Sequence, residues 1–271
     1  MKCTKQAAAL LASLLLLSTV VQAGGIYKPL LREEGAVPDA RLVPPAEAEE
    51  FEKLPELAVI TLEPAQIPEG PVFPEAEDWQ LLLVNPWNEI PEDYEVTLKT
   101  LPDGMKVDER AYDDLTAMLQ ACWDAGLRPK ICSAYRTHSK QAYLHKNKIA
   151  RLRAAGYSQA AAQEEAGRWV ARPGTSEHEL GLALDIVSQS YQALTKKQEQ
   201  TKEQKWLMEH CWEYGFILRY PNDKSEITGI GYEPWHYRYV GVEVAQDVRR
   251  SGLCFEEYLL LREESLIEES M

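Results

Sequence analysis

The chain has no surplus of positive charge. Its 271 residues carry 29 Lys and Arg against 43 Asp and Glu, a formal net charge of −14. The basic stripe that holds a phosphate backbone is missing, so nucleic acid is excluded as a partner. Cysteine is scarce at five, and no two stand at C-x-x-C spacing, which argues against a structural thiolate zinc site. Histidine is equally scarce at five, and no pair of histidines has the helical H-E-x-x-H form. No segment repeats. Strands and helices follow no regular βαβ rhythm either, which excludes a doubly wound parallel sheet.

The acidity that is present belongs to the ends. Residues 24–80 hold 13 acidic and 4 basic residues, residues 256–271 hold 6 and 1, and residues 81–255 hold 24 and 22. Lys2 and Lys5 precede an uncharged stretch that is apolar from Ala7 to Leu17 apart from Ser13, with Val21-Gln22-Ala23 as a small-x-small site. This is the pattern of a secretory signal, residues 1–23, removed on export. The alternative is an uncleaved anchor, since the uncharged run of 22 residues reaches the roughly 20 that span a bilayer. Residues 24–76 read as an acidic linker: nine prolines among glutamates cannot bury enough apolar area to offset ordering entropy. A folded domain over 77–262 and an acidic tail over 263–271 complete the division. Cys122, Cys132, Cys211 and Cys254 of the mature chain allow two disulfides in three pairings, or behave as buried free thiols.

Within the domain, the pattern predicts strands at 81–85 and 94–101. A helix follows, capped by Asp108, with Ala111, Leu115, Met118, Leu119 and Cys122 on its buried face. A strand over 130–136 comes next, then helices capped by Ser139 and Ser158 that end near Ala155 and Ala171. LGLALDIV (180–187) reads as a buried strand. A helix from about Lys202 closes at Gly215, FILRYP and ITGIGYEPWHYRYVG supply two more strands, and a helix over 242–249 leads into a helical tail. The expected fold class is α+β: a small, largely antiparallel sheet with flanking helices.

Two stretches carry the chemistry. GTSEHELGLALDIV (174–187) places Ser176, His178 and Asp185, and YEPWHYRYVG (232–241) adds Glu233, Trp235 and His236. A carboxylate inside an apolar strand is costly unless paired or bound to a metal, and that points to Asp185. Two imidazoles and one carboxylate, with a second carboxylate to spare, are the inventory of a catalytic zinc site. Pro234 keeps Glu233 and His236 out of a helix interior. Glu233 then suits a base that takes a proton from zinc-activated water and passes it to the leaving amine, or reads as one half of a surface ion pair. In SAYRTHSKQ (133–141), Arg136 suits an oxyanion or a substrate carboxylate, or, taken singly, a structural ion pair, and Gln141 and Ser176 suit a peptide backbone. Trp235 reads equally as a core aromatic or as substrate wall. His138, His145 and His210 read as surface or packing residues.

Three ordered motifs are complete here: Ser133-x-Tyr135-Arg136 with Gln141, then Ser176-x-His178-x-x-Gly181-x-Ala183-x-Asp185, then Glu233-Pro234-Trp235-His236. From about Leu81 to Tyr258 the chain resembles the VanY-type D-alanyl-D-alanine carboxypeptidases. They belong to a wider zinc peptidase group that includes D-Ala-D-Ala dipeptidases and the hedgehog N-terminal domain. The resemblance implies a hedgehog-like fold and one zinc on His178, Asp185 and His236. It implies Glu233 as base, Arg136 as transition-state stabiliser, and Ser176, Gln141, Tyr135 and Trp235 on substrate. The implied reaction, carried out by a monomer in the cell-wall space of a bacterium, removes the terminal D-alanine from a peptidoglycan stem peptide after D-Ala or L-Lys. Alternatives are an endopeptidase or dipeptidase of the same group, and a non-catalytic wall-binding module on the same fold. The membrane is a partner only through an uncleaved N-terminus.

Overall fold

The structure, a computed structural model, describes residues 70–270. The expected signal segment and most of the linker lie outside them. The first described contacts already belong to the domain: the amides of Val72 and Phe73 donate to the Asp247 carboxylate, and Arg262 donates to the carbonyl of Pro74. Helix α1 (Asp78–Leu81) follows at once, its first turn closed by Glu77 and Gln80; the strand expected at 81–85 is absent, residues 82–84 being coil and Asn85 meeting only Asn88 in an isolated bridge. A run of three leucines fits either element, and here Leu82 packs on the main core while Leu81 and Leu83 pack on a second one.

β1 (Leu98–Thr100) pairs antiparallel with β2 (Lys106–Asp108), a strand the sequence pattern did not announce. Asp108 caps α2 (Glu109–Asp124) by accepting from the Arg110 amide, and the five residues expected on its buried face are buried. β3 (Pro129–Ser133) then leads into α3 (His138–Ala154), capped by Thr137 rather than Ser139, because the Thr137 hydroxyl takes the Lys140 amide. α4 (Gln159–Gly167) is capped by Ser158 as expected but stops short of Ala171. β4 (Ala183–Ser188), α5 (Lys202–His210), β5 (Phe216–Leu218), α6 (Ser225–Thr228), β6 (His236–Tyr239), α7 (Val242–Ser251) and α8 (Phe255–Glu269) complete the order. The ITGIG half of the last expected strand is therefore helix and turn.

The main sheet runs β3-β4-β6-β5, with every neighbour antiparallel. Its two faces differ in chemistry, and strand alternation sets that difference. Leu182, Leu184 and Ile186 of the β4 region and Tyr237 and Tyr239 of β6 enter the core beside Leu115, Met118 and Leu207. Asp185, His236 and Arg238 take the opposite face, and they too are at most 3% exposed. β4 reads as an unbroken apolar run because both faces are covered. The four cysteines are free thiols, with no disulfide among the described residues. Burial pushes Cys122, Cys132 and Cys211 up to about 12 and Cys254 to about 11, so they are small packing groups at neutral pH.

Asp247 fastens the entering segment to α7 and α8. Burial works against its ionised form, but the amides of Val72 and Phe73, Arg250 and the Tyr258 hydroxyl outweigh it and hold its pKa below the ordinary value. A depressed folded pKa stabilises above the unfolded value near 4 and is lost as pH falls through the folded one. Asp247→Asn is therefore expected to cost about 1–3 kcal/mol at pH 7, the usual range for stranding buried partners. The penalty should shrink on acidification, as read from urea unfolding at pH 7 and pH 3. An equal penalty at both values would show that the carboxylate's charge is not what holds the segment.

Candidate active site

Strand register builds the centre. Asp185 of β4 lies directly across from His236 of β6, and directly opposed residues project on the same face about 5 Å apart. Asp185 Oδ1 stands 3.2 Å from His236 Nδ1. His178 arrives from a 3-10 turn, Glu177–Leu180, that ends at Gly181 with φ +77. A Cβ at Gly181 would meet the Asp108 amide at 3.0 Å and side chains of Val96 and Leu98 at 3.3 Å, so only glycine makes this bend without strain. The bend brings His178 Nε2 to 3.3 Å from Asp185 Oδ2. One donor atom from each of His178, Asp185 and His236 lies within 4.8 Å of the others.

The far nitrogen of each ring is engaged by an acceptor. His178 Nδ1 is 2.9 Å from the Ala134 carbonyl and His236 Nε2 is 3.3 Å from a Glu177 oxygen. Neither acceptor can donate, so those nitrogens carry protons, and a cation between the rings would take the lone pairs of the opposing nitrogens. Two oriented imidazoles and a carboxylate, each ring backed by an acceptor, fit a catalytic zinc ion with its fourth position open. Glu233 Oε2 stands 3.7 Å from His236 Nδ1 and lines the cleft beside the three ligands.

Electrostatics sort these groups. Burial, aided by Arg136, drives His178 down to about 4, which keeps it neutral. For Asp185 burial is outweighed by His178, His236 and Arg136, which hold it well below the carboxylate range. His236 is raised to about 9, its hydrogen bonds to Asp185 and Glu177 overcoming burial. Glu233 is pushed up to about 8, by burial first and by Asp185, against the pull of His236 and Arg136. A divalent cation favours the deprotonated form of all four.

Not every expected residue faces the cleft. Arg136 does: it donates to Asp185 at 2.7 Å, to the Ser133 hydroxyl at 2.8 Å and to Gln141 at 3.3 Å. Ser176 and Trp235 also line it. Gln141, expected on substrate, is instead fully buried: its carbonyl takes Arg136 and its amide donates to the Ala171 carbonyl. It braces the guanidinium. Tyr135 lines a second hollow of about 620 Å³ that adjoins the cleft through Arg136 and Asp185, with Lys106, Lys140 and Gln192. His138, His145 and His210 hydrogen-bond to Glu179, the Val170 carbonyl and Glu213, away from the ligands.

Sequence reasoning missed the layer beneath His236. Glu177 is 1% exposed and accepts from Arg219 at 2.7 Å and Arg238 at 2.9 Å, both arginines fully buried. Arg219 also makes a two-pronged pair with Glu256 of α8 at 2.7 and 2.8 Å. Burial opposes the Glu177 charge, but the two arginines hold its pKa far below the carboxylate range. The walls were missed as well: the cleft, about 480 Å³, is lined by Tyr143, Lys148, Trp169, Tyr220 and Ile230 besides the catalytic groups.

Comparison with known proteins agrees with this geometry. The model of the VanY family, D-alanyl-D-alanine carboxypeptidase, matches residues 104–242. A D-alanyl-D-alanine carboxypeptidase of Enterococcus faecalis is 45% identical over 183 residues, which is 68% of this chain and 66% of the relative. The chain thus covers slightly less than two thirds of that protein's length. Among solved structures, VanYB in complex with D-alanine-D-alanine superposes with a TM-score of 0.62 at 46% identity, covering 67% of this chain and 97% of the other. A vancomycin-resistance D,D-pentapeptidase VanY variant in complex with Zn(II) gives 0.62 at 45% identity, covering 67% and 99%.

Proposed function

The chain belongs to the VanY family of D-alanyl-D-alanine carboxypeptidases, and from that premise we propose that it is a zinc carboxypeptidase removing the terminal D-alanine from peptidoglycan stem peptides. The observation that carries this reading is the convergence of His178, Asp185 and His236 on one point of a cleft, with Glu233 beside them and not among the ligands. A zinc ion held there supplies Lewis-acid polarisation of the scissile carbonyl and makes water more acidic.

The protein's own groups do the rest. Glu233 accepts a proton from the attacking water at Oε2 and gives it to the amine of the departing D-alanine as the C–N bond breaks. A cation beside it would favour the ionised carboxylate that takes the proton. Arg136, fixed by Ser133, Gln141 and Asp185, aims a rigid guanidinium at charge developing on the carbonyl oxygen. Ser176 and Trp235 shape the wall against which the peptide lies. Export is part of the reading, since the substrate lies outside the cytoplasm and residues 1–23 have the signal pattern.

Incubating the purified protein with a pentapeptide stem and its tetrapeptide, with product masses read out, tests the reading. Free D-alanine is expected from the pentapeptide, its release abolished by a chelator and restored by zinc. Release of a dipeptide would move the protein to the dipeptidase branch. Absence of any cleavage by zinc-loaded protein would leave it a binding module.

A further inference from the structure

The cleft is longer than its chemistry requires. Besides the metal ligands, Arg136 and Glu233, its lining includes an arm along one face of α3 made by Leu144, Asn147, Lys148 and Arg151, and the Lys148 charge acts on Glu233. These positions fall at i, i+3, i+4 and i+7, a single helical stripe. Gln141, which braces Arg136, marks the start of this arm. At 1.5 Å per residue Lys148 lies about 10 Å and Arg151 about 15 Å along the helix from it. An extended peptide covers about 3.3 Å per residue, so the two cations stand roughly three and four or five residues along a chain laid in the cleft.

The direction of that chain follows from the reaction, and this step rests on the function proposed above. A carboxypeptidase releases one residue, so the long arm has to hold the acyl side. The second hollow shares Arg136, Leu144, Asp185 and Leu194 with the cleft but lacks His178, His236 and Glu233, so by itself it does not span the centre. Within the arm, Lys148 sits with its ammonium 5.8 Å from the centre of the Trp169 ring. Trp169 is itself fixed by its indole N–H to Glu165 at 2.7 Å and by close packing on Gly231. The ammonium therefore stands near the face of a fixed ring, and both residues line the cleft. Arg151 is exposed at the far end.

We propose that Lys148 and Arg151 form an anion subsite for a carboxylate carried on the acyl side of the substrate, about three to five residues along from the cleaved bond. The protein then distinguishes peptides with a free carboxylate at that place from those in which it is an amide. Neither residue belongs to the three motifs, and an aliphatic pair would line the cleft equally well for an uncharged peptide.

Two pentapeptides ending in D-Ala-D-Ala, alike except for a free or amidated α-carboxylate on a γ-linked glutamate two residues before the attacked carbonyl, provide the test. With zinc-loaded full-length protein, kcat/KM is expected to favour the free acid by about fivefold, the scale of a pair of partly screened charge contacts. The preference should reside in KM and shrink as salt is raised. Lys148→Gln with Arg151→Gln should erase it, and Arg151→Glu should turn it toward the amide, with zinc content and Tm confirming that the variants are folded. Equal kcat/KM for the two peptides in the wild type would overturn the subsite while leaving the carboxypeptidase reading intact. A preference surviving in the double variant would overturn it too. Release of D-alanine from neither peptide would instead remove the functional reading on which the subsite stands.

Discussion

Glu233→Gln is expected to leave one zinc per chain and to lower kcat by about a hundred- to ten-thousandfold, the usual worth of a placed general base. The isosteric amide keeps the volume of the carboxylate, so cleft and wall stay as they are. The three ligands do not depend on it: His178 is oriented by the Ala134 carbonyl, His236 by Glu177, and Asp185 by strand register. What the amide cannot do is take a proton from water. KM should change little, because the loss falls on the transition state rather than on substrate binding. Zinc by atomic absorption beside single-turnover release of D-alanine reads both quantities. Full activity in the variant would remove Glu233 from the role of base. A loss of metal together with activity would make it a ligand.

The centre was legible in the sequence because each of its parts breaks a local rule. Asp185 is a charge inside a buried strand, Gly181 a break where a strand should begin, and Pro234 a stop before a histidine. Such violations mark sites because only a bound group or a tight fit repays them. The sheet and the Asp108-capped helix were legible for the opposite reason, since pattern, cap and burial agreed. The failures are local as well. Residues 81–85 read as strand because leucines fit both elements, and only packing against two separate cores decides for a turn of helix and coil. Gln141 read as a substrate contact because helical spacing shows that a side chain is near Arg136 but not which way its amide turns. The arginines under His236 carried a usable signal that went unread. Arg219 directly follows the apolar strand β5, within the stretch FILRYP that reads as strand, and Arg238, two residues after His236, shares its face by alternation. Glu177 carried none, because its burial depends on those two arginines arriving from elsewhere.

Glu177 accordingly supports the second large expectation. Glu177→Gln should weaken zinc binding by about ten- to a hundredfold, the range seen when the acceptor behind a metal-ligating histidine is lost. The carboxylate can only accept, which keeps the proton of His236 on Nε2 and the lone pair on Nδ1, the nitrogen 3.2 Å from Asp185. A glutamine amide turned toward the ring donates instead. That favours the tautomer with its proton on Nδ1, which has no lone pair to give the metal. Glu177→Ala should do more harm to the fold than to the metal. It leaves Arg219 with Glu256 alone and Arg238 with backbone carbonyls of Gln80, Leu82 and Tyr239. Uncompensated charge of this kind in a buried cluster costs about 3–5 kcal/mol. The two variants therefore separate two roles of one side chain: chelator competition reads the tautomer, and urea unfolding in excess chelator reads the ion cluster. Wild-type zinc affinity in the glutamine variant would show that strand pairing alone orients His236, and that the buried charges serve the fold and not the metal.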